Sequence, residues 1–328
     1  MNEPTGTPQG LLNAQLLNGS GGARNLEWTE VVRWEAADGL LWLHFDLDEP
    51  GTHQWVAEQS GLSEVASSAL LSEETRPRTV HRDERLLLVL RGVNPSISAE
   101  ADDMISVRIW SDGQRVISTR YRGLESTDNL IASLRDGDGP RNVQELLDVW
   151  IGGIIERLKA TVDRFEDAVM ALDERVLAGD TDGVRSDLSR VRKQLISVRR
   201  YLTPMREALS KLGTASVPWI DDDHRLMIRE TADQLIRNIE DLDEVRDRAI
   251  LCQEELLTQV SESMNTRSYV FTVVATIFLP LGFLTGLFGI NVGGMPGVEN
   301  DGAFWLVVWS CVALTAGLGL LFRMSRWL

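Results

Sequence analysis

An α+β cytoplasmic domain, long stalk helices and two C-terminal transmembrane helices are the architecture that this 328-residue sequence predicts. Three observations carry the reading. Short apolar runs bounded by turn residues crowd the stretch up to residue 140 and suit strands. From Asn142 onward apolar residues recur with a helical period through long, highly charged segments. Near the C-terminus, Tyr269 to Phe288 and Ala303 to Phe322 hold no charged side chain.

Taken in order, residues 1–25 are expected to be a flexible arm and residues 26–140 an α/β domain. Strands are expected at "LWLHFDL" (41–47), "RLLLVLRGV" (85–93), "ISVRIW" (105–110) and "RVISTR" (115–120). The last two are joined through Ser111-Asp112-Gly113, a hairpin composition. Helical stretches fall between them at 63–74 and 125–135. The stalk occupies 141–268, with one helix to about Leu177, a turn at "AGDTDG" and a second helix to about Leu212. Pro218 and the aspartates 221–223 make a good helix start. Nothing then breaks the pattern before Pro280, so residues 222–288 can form one helix about 100 Å long.

The two uncharged runs are each about 20 residues, enough at 1.5 Å per residue to cross a hydrocarbon core of roughly 30 Å. They are uncharged all round and lie together, which favours transmembrane helices (269–288 and 303–322) over buried helices of a soluble domain. Arg267 precedes the first, and Arg323 and Arg326 follow the second. The connecting loop, 289–302, has no Lys or Arg. The charge rule therefore predicts both termini inside the cell and the loop outside, with 323–328 as a cytoplasmic tail.

The chain carries 33 basic and 49 acidic side chains, a net charge of −16. After Arg267 the only charged residues are Glu299, Asp301, Arg323 and Arg326, which cancel, so the whole surplus lies in residues 1–267. An acidic body disfavours nucleic acid and anionic lipid surfaces and suits cations. Two cysteines, Cys252 and Cys311, exclude a disulfide framework. The first residues lack the basic and apolar regions of a secretory signal, so the bulk of the chain is expected in the cytoplasm.

Stepping back from Gly286 by alternating four and three residues, the seam period of a helical bundle, gives Gly282, Leu279, Ala275, Thr272, Ser268 and Asn265. Nearly all are small or polar. Such a stripe fits close helix packing. Its continuation, however, passes through Ser261 and Thr258 to Glu254, Leu251, Asp247, Glu244 and Glu240, increasingly acidic, and an acidic seam suits a cation vestibule better than a dimer contact. One chain supplies one such helix, so a pore needs a ring of several.

The run "IFLPLGFLTGLFGINVGGMPG" (277–297), the two terminal helices and the closing "RMSRWL" resemble the CorA-type divalent-cation transporters, and most closely their ZntB zinc-transporter branch. Similar segments follow in the same order through the body: "EETRPR" (73–78), "VISTRYR" (116–122), "KQLISVRRYLTPMRE" (193–207) and "VPWIDDD" (217–223). The resemblance implies a homopentamer in the inner membrane of a bacterial cell, a cytoplasmic funnel of long helices, and a pore lined by the first transmembrane helix. It places the family's Gly-Met-Asn signature on Gly289, Ile290 and Asn291, with isoleucine replacing methionine. It implies Zn²⁺ uptake coupled to protons, with Co²⁺, Ni²⁺, Cd²⁺ or Mg²⁺ as other cargo and no resident cofactor. A Mg²⁺/Co²⁺ channel is the alternative within the family. A membrane-anchored sensor or scaffold is the alternative of another class.

The chemistry of the signature can be argued without the resemblance. Asn291 falls where the helix should unwind, so a ring of such residues can offer oxygens to a partly hydrated ion; Asn291 also suits a helix C-cap. Glu299 and Asp301 either raise the cation concentration at an outer mouth or cap the second transmembrane helix. His44, His53, His81 and His224 have no ligand spacing, so no tight metal site is expected. There is no Walker loop, dinucleotide fingerprint, HExxH or nucleophile elbow, which argues against an enzyme. No carboxylate, histidine, lysine or arginine lies between Ser268 and Val298 or between Ala303 and Phe322, so the usual intramembrane proton relay is missing.

Overall fold

A computed structural model describes residues 6–73, 76–93, 104–290 and 302–324. They divide into two compact units, Met1–Gln253 and Glu254–Leu328.

The first unit is built on a seven-stranded sheet. Its strands are β1 (Leu11–Leu17), β2 (Ala23–Asn25), β3 (Leu41–Asp46), β4 (Arg78–Arg82), β5 (Arg85–Val93), β6 (Met104–Ser111) and β7 (Arg115–Arg120), in the spatial order β2-β1-β3-β7-β6-β5-β4. Among the described strands, only β3 and β7 pair in parallel. The β6–β7 hairpin turns where Ser111-Asp112-Gly113 predicts it. Gly113 sits at φ +90°, and a Cβ there would lie 2.5 Å from the Trp219 ring, so glycine meets both a backbone and a packing demand.

Alternation along β3 separates two cores, because neighbouring side chains on a strand point to opposite faces. Leu41, Leu43 and Phe45 pack with Trp28, Trp55 and Leu70 from the helices α1 (Trp28–Val31), α2 (Pro50–Glu58) and α3 (Glu64–Leu71). Trp42 and His44 turn to the other face. There the Trp42 ring lies 5.1 Å from that of Trp150, whose Nε1–H donates to Thr127 Oγ1 at 3.0 Å. These partners come from α5 (Val143–Leu177) and α4 (Glu125–Asp136).

Two expectations are corrected here. Residues 11–17, assigned to a flexible arm, form β1, which pairs with β3 from Leu16↔Leu41 to Leu11↔Phe45. Their few buried side chains, Ala14, Gln15 and Leu17, leave a weak apolar pattern. Nor do the α/β domain (26–140) and the stalk (141–268) form separate units: α5, α6 (Val184–Leu212) and α7 as far as Gln253 belong to the same compact unit as the sheet.

The long helices start and stop as their caps dictate. Asn142 accepts the Glu145 backbone N–H at 2.9 Å to open α5. Asp221 does the same for His224, also at 2.9 Å, to open α7 (Asp222–Phe288), which runs unbroken for 67 residues. Within the first unit, Ile228, Ala232, Leu235, Leu242, Val245, Ala249 and Cys252 form its buried stripe, at spacings close to the seam period of packed helices. Arg199 Nη2 on α6 donates to Asp243 Oδ2 at 2.9 Å, and Arg248 pairs with Glu166 of α5 at 3.6 Å. The second unit holds the rest of α7 and α8 (Ala303–Met324), both long and apolar enough to cross a membrane.

Candidate ion pathway

Beyond Leu256 no described residue of α7 is buried. One face is half covered: Tyr269, Val273, Ile277, Pro280, Leu281 and Leu284. On α8, Ala303, Val307, Cys311, Leu314 and Leu318 make a similar half-covered stripe, ending at buried Phe322. The predicted pore-lining residues Asn265, Ser268, Thr272, Ala275, Leu279, Gly282 and Gly286 are all exposed. At 3.6 residues per turn their stripe is centred about 145° from the half-covered one. A single chain therefore leaves the small-residue face open while its other side is packed.

The polar groups of that face are set up as acceptors. Thr272 Oγ1 donates to the Ser268 carbonyl at 2.9 Å, which uses its only proton inside the helix and leaves its lone pairs outward. A groove of about 460 Å³ runs along Leu257, Val260, Ser261, Met264, Asn265 and Ser268. At Gly282 and at Gly286 a Cβ would meet nothing within 4 Å. Gly289 ends the helix, its N–H bonded to the Thr285 carbonyl at 2.9 Å, and Ile290 follows it, half exposed. Asn291, Glu299 and Asp301 lie outside the described residues.

Glu240, Glu244, Asp247 and Glu254 are all exposed. Two of them have cationic neighbours that the sequence reading missed. Glu244 pairs with Arg248 at 3.7 Å and Asp247 with Arg246 at 2.9 Å, each within α7. The Glu244–Arg248 spacing, four residues on one helix face, was legible as a helix neighbour, whereas the adjacent Arg246 and Asp247 have no such spacing.

The four histidines serve the fold in different ways. His44 is fully buried, its Nδ1 2.7 Å from Ser118 Oγ, and burial, helped by the charge of Arg120, pushes its pKa down to about 3. His53 Nε2 lies 3.0 Å from the Leu47 carbonyl, and His81 is exposed on β4. His224 lies in the first turn of α7, beside its cap Asp221 and near Asp148. Among the described residues no group of three His, Cys, Asp or Glu side chains could hold a metal ion.

An acidic α+β body continuing through one helix into a two-span apolar unit defines a class of membrane proteins, and comparison with known proteins places the chain within it. The model of the "CorA-like Mg2+ transporter protein" family matches residues 37–324. The chain belongs to that family. It is 34% identical to a "Divalent cation transporter CmaX" of Pseudomonas aeruginosa, over 99% of this chain and 98% of the relative. It is 32% identical to a "Zinc transport protein ZntB" of Pectobacterium atrosepticum, over 97% and 96%. The solved structure of a full-length CmaX protein superposes with a TM-score of 0.84 at 33% identity, covering 98% of this chain and 100% of that one.

Proposed function

We propose that this chain carries divalent cations, Zn²⁺ first among them, across the bacterial inner membrane through a central pore made by a ring of identical copies. Five copies and proton-coupled uptake are what the family resemblance suggests. Residues 269–288 of α7 and α8 are the two spans, and both termini are cytoplasmic, since Arg267, Arg323 and Arg326 flank the spans and the loop between them carries no Lys or Arg.

The observation that carries this reading is the open small-residue face of α7, opposite its half-covered side. A ring of such faces makes a narrow, uncharged passage of hydroxyl oxygens, glycine backbone and short apolar side chains. Such a wall cannot replace the hydration shell of a divalent ion, so the ion passes at least partly hydrated. Asn291 and its copies would meet it at the outer mouth, beside Gly289 and Ile290. Glu240, Glu244, Asp247 and Glu254 would raise its concentration on the cytoplasmic side, and Glu299 and Asp301 would do so outside. Names of zinc-transporting relatives support Zn²⁺ as cargo. The Mg²⁺ in the family's description supports a second reading, a Mg²⁺/Co²⁺ channel.

Uptake of Zn²⁺, Mg²⁺ and Co²⁺ into liposomes containing only this protein, with and without a pH gradient, tests the proposal. Zn²⁺ uptake that the gradient accelerates is expected. Clear preference for Mg²⁺ with no gradient effect would establish the channel reading, and no flux of any cation would leave a membrane-anchored sensor.

A further inference from the structure

At the head of α7, within the first unit, a histidine lies between two carboxylates. Asp221 Oδ1 accepts the backbone N–H of His224 at 2.9 Å and lies 2.7 Å from its Nδ1. These two bonds, the backbone one first, hold the Asp221 carboxyl below the usual carboxylate range. An ionised carboxylate only accepts, so Nδ1 must carry a proton. Nε2 is then the nitrogen free to gain or lose one. It faces Asp148 Oδ2 of α5 across 3.6 Å, and both side chains are about four-fifths shielded from solvent.

Without a proton on either, Nε2 and Oδ2 are two acceptors facing each other with no donor between them. With one proton, on either atom, they attract. The other charged groups acting on Asp148 are Asp221 and Glu145, both negative, so neither relieves the repulsion. Gln144 completes the contact: its Oε1 accepts the Asp221 backbone N–H at 2.8 Å and its Nε2 lies 3.4 Å from Asp221 Oδ2. A second, neutral anchor lies just upstream, where Trp219 Nε1–H donates to the Glu84 carbonyl at 2.7 Å.

We propose that Asp148, His224 and Asp221 form a proton-operated joint between α5 and the first turns of α7, closed while one proton is shared by His224 and Asp148 and loosened when it leaves. Trp219 holds the preceding loop in either state, so the change is confined to the start of the helix. Burial, the largest cause, pushes the Asp148 carboxyl up to about 6, against the opposing charge of His224. Its folded pKa thus lies above its unfolded value. The stabilisation is complete below the unfolded value and is lost as pH rises through about 6. The joint does not rest on the transport reading.

Hydrogen exchange of the full-length protein in detergent, at pH 5 and pH 8 and corrected for intrinsic rates with an unstructured peptide, tests this. Protection of residues 222–230 in the wild type should fall on the order of fivefold or more at pH 8. Asp148→Asn puts a permanent amide donor opposite Nε2 and should show equal protection at both pH values. Equal wild-type protection at the two pH values would overturn the joint, as would a wild-type fall retained in Asp148→Asn.

Discussion

Replacing Gly282 by leucine separates a pore wall from a packed helix contact. Within the chain the substitution has room, since a Cβ at Gly282 meets nothing within 4 Å. Leucine also favours helix over glycine by up to about 1 kcal/mol, so the single chain loses no stability. In a ring of copies whose small-residue faces line the passage, each copy would add an isobutyl group that offers no ligand and favours dewetting. An added barrier of only about 1.4 kcal/mol slows passage tenfold. The expected result is therefore a fall in Zn²⁺ uptake of at least about tenfold. Size-exclusion elution and thermal unfolding should be unchanged. Phe278→Leu, roughly a quarter turn from the centre of the stripe, should leave uptake within about twofold of wild type. Wild-type uptake in Gly282→Leu would refute the pore wall. Loss of the oligomer together with uptake would mean that the glycine serves close helix packing instead.

Three further outcomes follow from the same geometry. Because Arg248 and Arg246 already pair with Glu244 and Asp247, Glu240→Gln with Glu254→Gln should lower flux more than Glu244→Gln with Asp247→Asn. The effect should be largest at low ionic strength, and equal loss at low and high salt would leave these acids as surface charges. Asn291→Ala should strongly reduce Zn²⁺ uptake while the oligomer still assembles, whereas Ile290→Met should retain it; full uptake in Asn291→Ala would sink the oxygen-ring account. His44 stays neutral in the fold down to about pH 3, but the unfolded chain protonates it near its ordinary value. Its contribution is therefore present above that value and lost progressively as pH falls towards 3. His44→Asn should flatten the decline in melting temperature between pH 7 and pH 4, and an unchanged decline would assign the acid sensitivity to other groups.

Long-range periodicity was the most legible feature of this sequence. The 222–288 helix, the second apolar helix and the strands over 85–93 and 115–120 were readable because each has one dominant period or a clear turn. The edge of the sheet was not. β4 is "RTVHR", in which only Thr79 is buried, so its composition resembles a loop and its strand character comes from pairing with β5. α2 begins at Pro50 and buries only Thr52, Trp55 and Val56, too few for a periodic signal. For the site, spacing alone selected the stripe on α7, but its exposure depends on what packs around it. The facing of His224 and Asp148, 76 positions apart in the chain, could not be read from local pattern, because two different helices bring them together.

Thiol accessibility along α7 tests the central claim most directly. With Cys252 and Cys311 replaced by serine, single cysteines at Thr272, Ala275, Gly282, Val273 and Ile277 can be exposed to a membrane-impermeant, water-soluble thiol reagent in liposomes conducting Zn²⁺. The account predicts that Thr272→Cys, Ala275→Cys and Gly282→Cys are labelled and that labelling blocks uptake, while Val273→Cys and Ile277→Cys, on the half-covered face, stay unlabelled. Labelling of the half-covered face with the small-residue face inert would contradict it.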